Sequence, residues 1–213
     1  MLVVALTGGI GAGKSSVSSR LADRGAVIVD ADAVVKDLQG IDRPVYVAMV
    51  ERWGERILAP DRALNRQAVA DIVFNDSDEL AALNKLVHPA VRDEMGRLTE
   101  AEADTDNVVV LDIPLLIPGD AEKRGAAAVI VVDCPTEVAV ERLVTDRGFD
   151  RADAEARIAA QLSRPERLAM ADFVVDNSGD LAALDVEVAR CWAWLVAQRD
   201  GIVDDGATVT PPD

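Results

Sequence analysis

Between Gly8 and Ser15 the chain reads G-x-x-x-x-G-K-S, residue types and a spacing suited to holding a polyphosphate. Side chains at Gly8, Gly11 or Gly13 would keep main-chain N–H groups from wrapping the phosphates. Lys14 supplies a point charge for β and γ phosphates, Ser15 a hydroxyl for Mg²⁺, and the following helix N-terminus a partial positive charge. The triplet Asp30-Ala31-Asp32 is a second chemical feature. A carboxylate there can take a proton from a hydroxyl attacking a γ-phosphate, hold a metal through water, or simply cap a turn after a strand. The third feature is six arginines, Arg142, Arg147, Arg151, Arg157, Arg164 and Arg167. Guanidinium groups clamp phosphoryl oxygens, but the interspersed Asp146, Asp150, Asp153, Glu155 and Glu166 also suit a solvated hairpin of ion pairs. By position, Arg142 and Arg147 read as functional, and Arg151, Arg164 and Arg167 as surface.

Regular elements must position these groups. The unbroken apolar run Leu2–Leu6 predicts a strand buried on both faces. Val17 and Leu21, with no Gly or Pro after Ser15, predict a helix, so the glycine loop lies between strand and helix. Further short buried strands are predicted at Ala26–Val29, Val108–Leu111, Val129–Val132 and Phe173–Val175. Parallel strands joined by right-handed crossovers end on one edge, where open α/β sheets bind ligands. The glycine loop and the Asp30/Asp32 pair are therefore expected to face one crevice. Asp112, closing the third run, resembles a metal-supporting acid.

Residues 41 to about 107 interrupt the strand–helix alternation. Asn65 is expected to cap a helix through Phe74, with Val69, Ile72 and Val73 on one face. Ser77 or Asp78 opens the next helix, which His88-Pro89 is expected to break, Pro89 then starting another through Ala103. His88, the single histidine, reads as a cap or partly buried packing residue, and Tyr46 and Trp53 as core. Pro135 and Thr136 start a helix, Ser163-x-x-Glu166 reads as a capping box, and a last helix is predicted from Leu181 to about Gln198. The acidic tail from Gly201 to Asp213 reads as disordered.

The 213 residues carry 38 acidic and 22 basic side chains, a formal charge of −16. That balance argues against a nucleic-acid groove, so any polyanion site must be positive only locally. No apolar run suits a membrane span, and no basic leader precedes the first strand, so a cytoplasmic protein is expected. Cys134 and Cys191 form no C-x-x-C and no cysteine–histidine cluster, which speaks against structural zinc.

Taken together, the chain resembles the dephospho-coenzyme A kinase family. The segments that carry this are LTGGIGAGKS (Leu6–Ser15), Asp30-Ala31-Asp32, Leu64-Asn65-Arg66, Leu83-Asn84 with His88-Pro89, and Asp112-Ile113-Pro114-Leu115-Leu116. Arg142-Leu143 with Arg147, Ala160-Gln161, Ala171-Asp172 and Asn177-Ser178-Gly179 complete them. The resemblance implies an α/β P-loop three-layer sandwich with a five-stranded parallel sheet, an inserted helical substrate subdomain and a helical lid. In those terms residues 1–200 form a single kinase domain, with core segments 1–40, 108–146 and 168–200. The coenzyme A-binding insertion would span about 41–107, the lid about 147–167, and the tail 201–213. It implies phosphorylation by ATP, with Mg²⁺, of the ribose 3′-hydroxyl of dephospho-coenzyme A, the last step of coenzyme A synthesis. Asp32 would take the hydroxyl proton, while Lys14 and Arg142 stabilise the moving phosphoryl group. Gly11, Ala12, Gly13, Lys14, Ser15 and Ser16 would hold ATP, with Arg147 in the lid and Asn177 near the adenine. Thr7, His88 and Leu115 would belong to the acceptor side. Neither nucleic acid nor membrane is an expected partner, and the chain is expected to be a monomer or weak homo-oligomer.

Three positions depart from the family pattern. Lys36 replaces the usual Arg and loses its planar fork, Asn65 replaces an Asp, and Ile117-Pro118-Gly119-Asp120 replaces the usual Phe-Glu after Pro-Leu-Leu. Two other readings of the phosphate loop remain: a different nucleoside or nucleotide kinase, and a GTP-binding switch. The switch predicts a guanine motif N-K-x-D, but Asn84-Lys85 continues as Leu86-Val87 without the acid.

Overall fold

The structure, a computed structural model, describes residues 1–201. Five strands form one parallel sheet: β1 (Leu2–Gly8), β2 (Val27–Asp30), β3 (Val108–Asp112), β4 (Ala128–Asp133) and β5 (Phe173–Asp176), in the order β2-β3-β1-β4-β5. The chain divides into two compact units, one made of Met1–Val29 with the chain from Ala101 onward, the other of Asp30–Glu100.

In the first unit β1 is flanked on both edges, with Leu2–Leu6 in register with Val108–Asp112 and Val4–Gly8 with Ala128–Val132. Helices α1 (Lys14–Ala22) and α10 (Leu181–Arg199) supply Val17, Leu21, Leu184, Val188 and Leu195 to the same core as Val4, Leu6, Val110 and Ile130. This is why Leu2–Leu6 reads as an unbroken apolar run: a strand covered on both faces has no polar side to show. Each fully buried Val or Leu here contributes about 1.5–3 kcal/mol. A short α6 (Asp120–Lys123) follows β3, and α7 (Thr136–Arg147) leads from β4 to α8 (Arg151–Ala159) and α9 (Arg164–Leu168). Ala154 of α8 packs on Val140 and Leu143 of α7 together with Ile10 and Phe149, so a small apolar cluster ties the arginine-rich segment to the phosphate loop. The capping box at Ser163 and Glu166 forms as expected.

The second unit is helical: α2 (Ala31–Leu38), α3 (Pro44–Trp53), a 3-10 turn Gly54–Ile57, α4 (Arg66–Val73) and α5 (Ser77–Glu100). Tyr46 and Trp53 are buried in it, each with its polar tip satisfied. The Tyr46 hydroxyl donates to the Arg62 carbonyl at 2.7 Å, and Trp53 Nε1 to Glu79 at 2.8 Å. Asn65 caps α4 through the Ala68 N–H. The α5 cap is Asp76, which accepts from the N–H groups of Asp78 and Glu79, one residue before the expected start.

The expected break at His88-Pro89 is absent. α5 runs 24 residues through Pro89, which starts no new helix. Packing against α2, α3 and α4 holds it together, and the one main-chain hydrogen bond that proline forfeits lies at an exposed position, Lys85 and Pro89 both facing solvent. His88 is accordingly exposed on the helix rather than a cap or packing residue. Of the acidic tail, only Gly201 lies within the described residues. Among those residues no helix is long and apolar enough to cross a membrane.

Pro89→Ala would restore that hydrogen bond in a better helix former, and is expected to raise the unfolding free energy by about 1–3 kcal/mol in a denaturant melt. Lower stability in the variant would contradict a helix continuous through this position.

Candidate active site

The loop from Gly8 to Ser15 leaves its N–H groups free for an anion. Ala12 N–H bonds the Gly9 carbonyl at 3.0 Å and Ser16 N–H the Gly13 carbonyl at 3.0 Å. The Ile10 N–H is taken by the Gln161 side-chain oxygen at 2.9 Å. Among the described residues, the N–H groups of Gly11, Gly13, Lys14 and Ser15 have no protein acceptor. Such groups gathered at a helix N-terminus form a site for phosphate oxygens. Gly11 and Gly13 have φ of +81° and +87°, a region that side chains avoid. A Cβ on Gly11 would lie 2.7 Å from the Ala139 carbonyl oxygen, and one on Gly13 would collide with the Asn177 amide.

Two side chains hold Lys14 and the loop in place. The Lys14 ammonium pairs with Asp112, which closes β3 and is almost wholly buried. Asn177, 6 % exposed beyond β5, donates from Nδ2 to the Ala12 carbonyl at 2.7 Å. One amide N–H is thus engaged by the loop, while the side chain also lines the cavity beside it. The Ser15 hydroxyl is exposed and makes no hydrogen bond.

A cavity of about 420 Å³ opens beside the loop, lined by Ser15, Ser16, Arg142, Arg147, Asn177 and Leu181 among others. Arg142 Nη2 reaches the Gly179 carbonyl at 3.4 Å, while its Nη1 is buried with no acceptor. A buried donor without a partner costs about 1–3 kcal/mol, so this nitrogen favours a ligand that supplies an oxygen or nitrogen lone pair. Arg147 stands exposed at the end of α7 without an ion pair. A second cavity of about 300 Å³, mostly apolar, is lined by Thr7, Gly8, Leu115, Leu116, Gln161 and Arg167 with their neighbours. Thr7 is buried within it, and Leu115 is 66 % exposed.

Two arginines expected at the surface also bind inward. Arg164 binds the buried Asp133 through two nitrogens, Nε at 2.9 Å and Nη2 at 2.8 Å. Arg167 donates to the Leu162 carbonyl and lies so close to Gly9 that a Cβ there would sit 2.8 Å from its Nη2. Arg151 does behave as a surface residue, with Glu137 at 2.9 Å and Glu155 at 3.4 Å, as does Arg157 with Asp153 at 3.0 Å. The sequence signal for Arg164 was a strand-closing acid in need of a cation. Gln161 stood out only as part of Ala160-Gln161 in the family pattern, and no role was legible for it, since an uncharged amide in a polar segment looks like any solvated residue.

In the second unit the two acids of the triplet separate. Asp30 caps α2, its Oδ1 accepting from the N–H of Asp32 at 2.8 Å and of Ala33 at 3.1 Å. The Asp32 carboxylate is exposed and has neither hydrogen bond nor ion pair. Lys36, in the last turn of α2, and His88, on α5, are exposed. Cys134 and Cys191 are buried, which raises the Cys134 thiol above its ordinary range and pushes Cys191 up to about 12.

A family model for dephospho-CoA kinase matches residues 2–183. The dephospho-CoA kinase of Thermobifida fusca is 43 % identical over 195 residues, covering 92 % of this chain and 96 % of its own length. That of Streptomyces avermitilis is 46 % identical over 200 residues, covering 92 % and 95 %. The solved structure of TT1252 from Thermus thermophilus superposes with a TM-score of 0.75 at 31 % identity, over 91 % of this chain and 97 % of its own.

Gly13→Ala combines an unfavourable φ with a clash against Asn177, and is expected to weaken binding of MgATP at least tenfold, about 1.4 kcal/mol. Titration calorimetry measures this, with circular dichroism as the check on folding. Wild-type affinity would mean that the loop does not wrap phosphates in this conformation.

Proposed function

The chain belongs to the dephospho-CoA kinase family, and we propose that it transfers the γ-phosphoryl group of ATP to the ribose 3′-hydroxyl of dephospho-CoA, with Asp32 as the proton acceptor. The observation that carries this reading is the set of four free loop N–H groups around Lys14, on a chain matched by the family over residues 2–183. Phosphoryl transfer asks the protein mainly for position and charge. The loop N–H groups and Lys14 take the β and γ oxygens of ATP. Arg142 and Arg147 offset the remaining charge, Arg142 Nη1 finding in the nucleotide the acceptor that the protein does not supply. Asn177 holds the loop through the Ala12 carbonyl, and its remaining N–H and Oδ1 are its proposed contact near the adenine. Thr7 and Leu115, in the apolar cavity, and His88 are proposed acceptor contacts.

Asp32 is preferred to Asp30 as the base because Asp30 is committed to its two cap hydrogen bonds. A carboxylate free of partners can accept the 3′-hydroxyl proton as the oxygen bonds to phosphorus and ADP leaves. The donor set suits Mg²⁺: Ser15 offers an unengaged hydroxyl and Asp112 a carboxylate at the strand end. Among the described residues no group of three or more His, Cys, Asp or Glu could hold a metal ion. An ion held by few protein groups, with water and phosphate as its other ligands, is how Mg²⁺ binds. Held by these groups, Mg²⁺ would supply positive charge to offset that of the transferring phosphoryl group.

The purified protein is expected to convert dephospho-CoA and MgATP to CoA and ADP, with the new phosphate on the 3′-oxygen by NMR. Asp32→Asn is expected to lower kcat by about 10²–10⁴-fold with little change in KM for ATP. A wild-type rate in that variant would remove Asp32 from the mechanism. Transfer to nucleoside monophosphates but not to dephospho-CoA would overturn the acceptor.

A further inference from the structure

We infer that Gln161 is a positioning residue for phosphoryl transfer, fixing the first half of the phosphate loop through the Ile10 N–H; the inference rests on the kinase reading above. Among the described residues, Ile10 is the one position between Gly9 and Ser16 whose N–H is bonded to a side chain from another element, 151 residues away. That bond withdraws Ile10 from the anion-facing set and sets the direction of its peptide. Two residues on, Asn177 takes the Ala12 carbonyl. The two primary amides therefore bracket Gly11, one accepting and the other donating, on either side of a residue whose positive φ gives the chain its greatest freedom. A loop with four glycines would otherwise have to be ordered by the nucleotide itself, and fixing it beforehand lowers that cost.

Gln161 is itself held in place. The segment that carries it is anchored by Arg164 on the buried Asp133, and Arg167 bonds the neighbouring Leu162 carbonyl while pressing on Gly9. Amide chemistry matters at this position. A glutamate would also accept from Ile10, but would set a negative charge beside the oxygens the loop must bind. The Gln161 Nε2 makes no hydrogen bond in the protein, and the side chain lines the cavity with Thr7, Leu115 and Arg167. A single residue thus touches both the phosphate loop and the apolar cavity beside it.

Gln161→Ala is expected to lower kcat by about 10- to 100-fold, leave KM for ATP within about threefold, and speed hydrogen exchange at the Ile10 amide. Gln161→Glu keeps an acceptor, so Ile10 should stay protected and kcat should recover to within about threefold of wild type, while KM for ATP rises about tenfold. Melting temperatures of both variants separate this from simple destabilisation. Wild-type kcat in Gln161→Ala, equal losses in the two variants, or a loss of kcat that merely follows a fall in melting temperature would overturn the inference. A wild-type protein that does not phosphorylate dephospho-CoA would instead overturn the kinase reading, and the inference with it.

Discussion

Polyphosphate binding by this chain depends on neutralising acids at the edge of its own sheet. β3, β4 and β5 each end in an aspartate, Asp112, Asp133 and Asp176, and in a parallel sheet those ends share the edge where the phosphate loop emerges. Two unit charges 4 Å apart interact by about 4 kcal/mol at a surface-like dielectric, so one uncompensated carboxylate there would oppose a phosphate strongly. Each acid has a different answer. Asp112 pairs with Lys14, Asp133 takes two nitrogens of Arg164, and Asp176 accepts the Ser178 N–H at 2.9 Å in a turn. With two of these acids paired to cations and the third hydrogen-bonded, the free N–H groups of the loop and the unpaired Arg147 offer local positive potential, although the whole chain carries −16.

The same requirement explains the arginine-rich segment better than either of its simple readings. It is neither wholly a phosphate clamp nor wholly a solvated hairpin. Arg151 and Arg157 form exposed pairs of the kind worth little in stability. Arg164 and Arg167 fold the segment onto β4 and the loop. Breaking the Arg164–Asp133 pair would leave a buried carboxylate unpaired, a far larger penalty than losing a surface pair. The arginines that secure the segment therefore differ from those in the 420 Å³ cavity, Arg142 and Arg147.

How far these arrangements could be read from the residues depends on the range of the interaction. The strands, the phosphate loop, the Asn65 cap and the capping box at Ser163 are encoded within a few neighbouring residues, and all are present. His88-Pro89 misled because local preference against proline in a helix was outweighed by packing of α5 on three other helices. Arg164 and Gln161 were misjudged or given no role because their partners lie 31 and 151 residues away. At such range, residue type shows that a side chain can bond but not to what. Asn177 lay between these cases: its place after a strand was legible, its commitment to Ala12 was not.

The triplet Asp30-Ala31-Asp32 shows how local hydrogen bonding can divide two like groups. At the end of β2 a helix must begin at once, since α2 starts at Ala31, and its first N–H groups need an acceptor. Asp30 is the residue placed to cap them, and doing so fixes its carboxylate. Two residues on, Asp32 lies within the first turn, exposed and with no hydrogen bond to its carboxylate. The helix start thus fixes one acid so that the next is displayed on an ordered backbone with its carboxylate open. Replacing Asp30 by another good cap such as Ser would preserve that display, whereas moving the acid one residue along would turn it by about 100° on the helix.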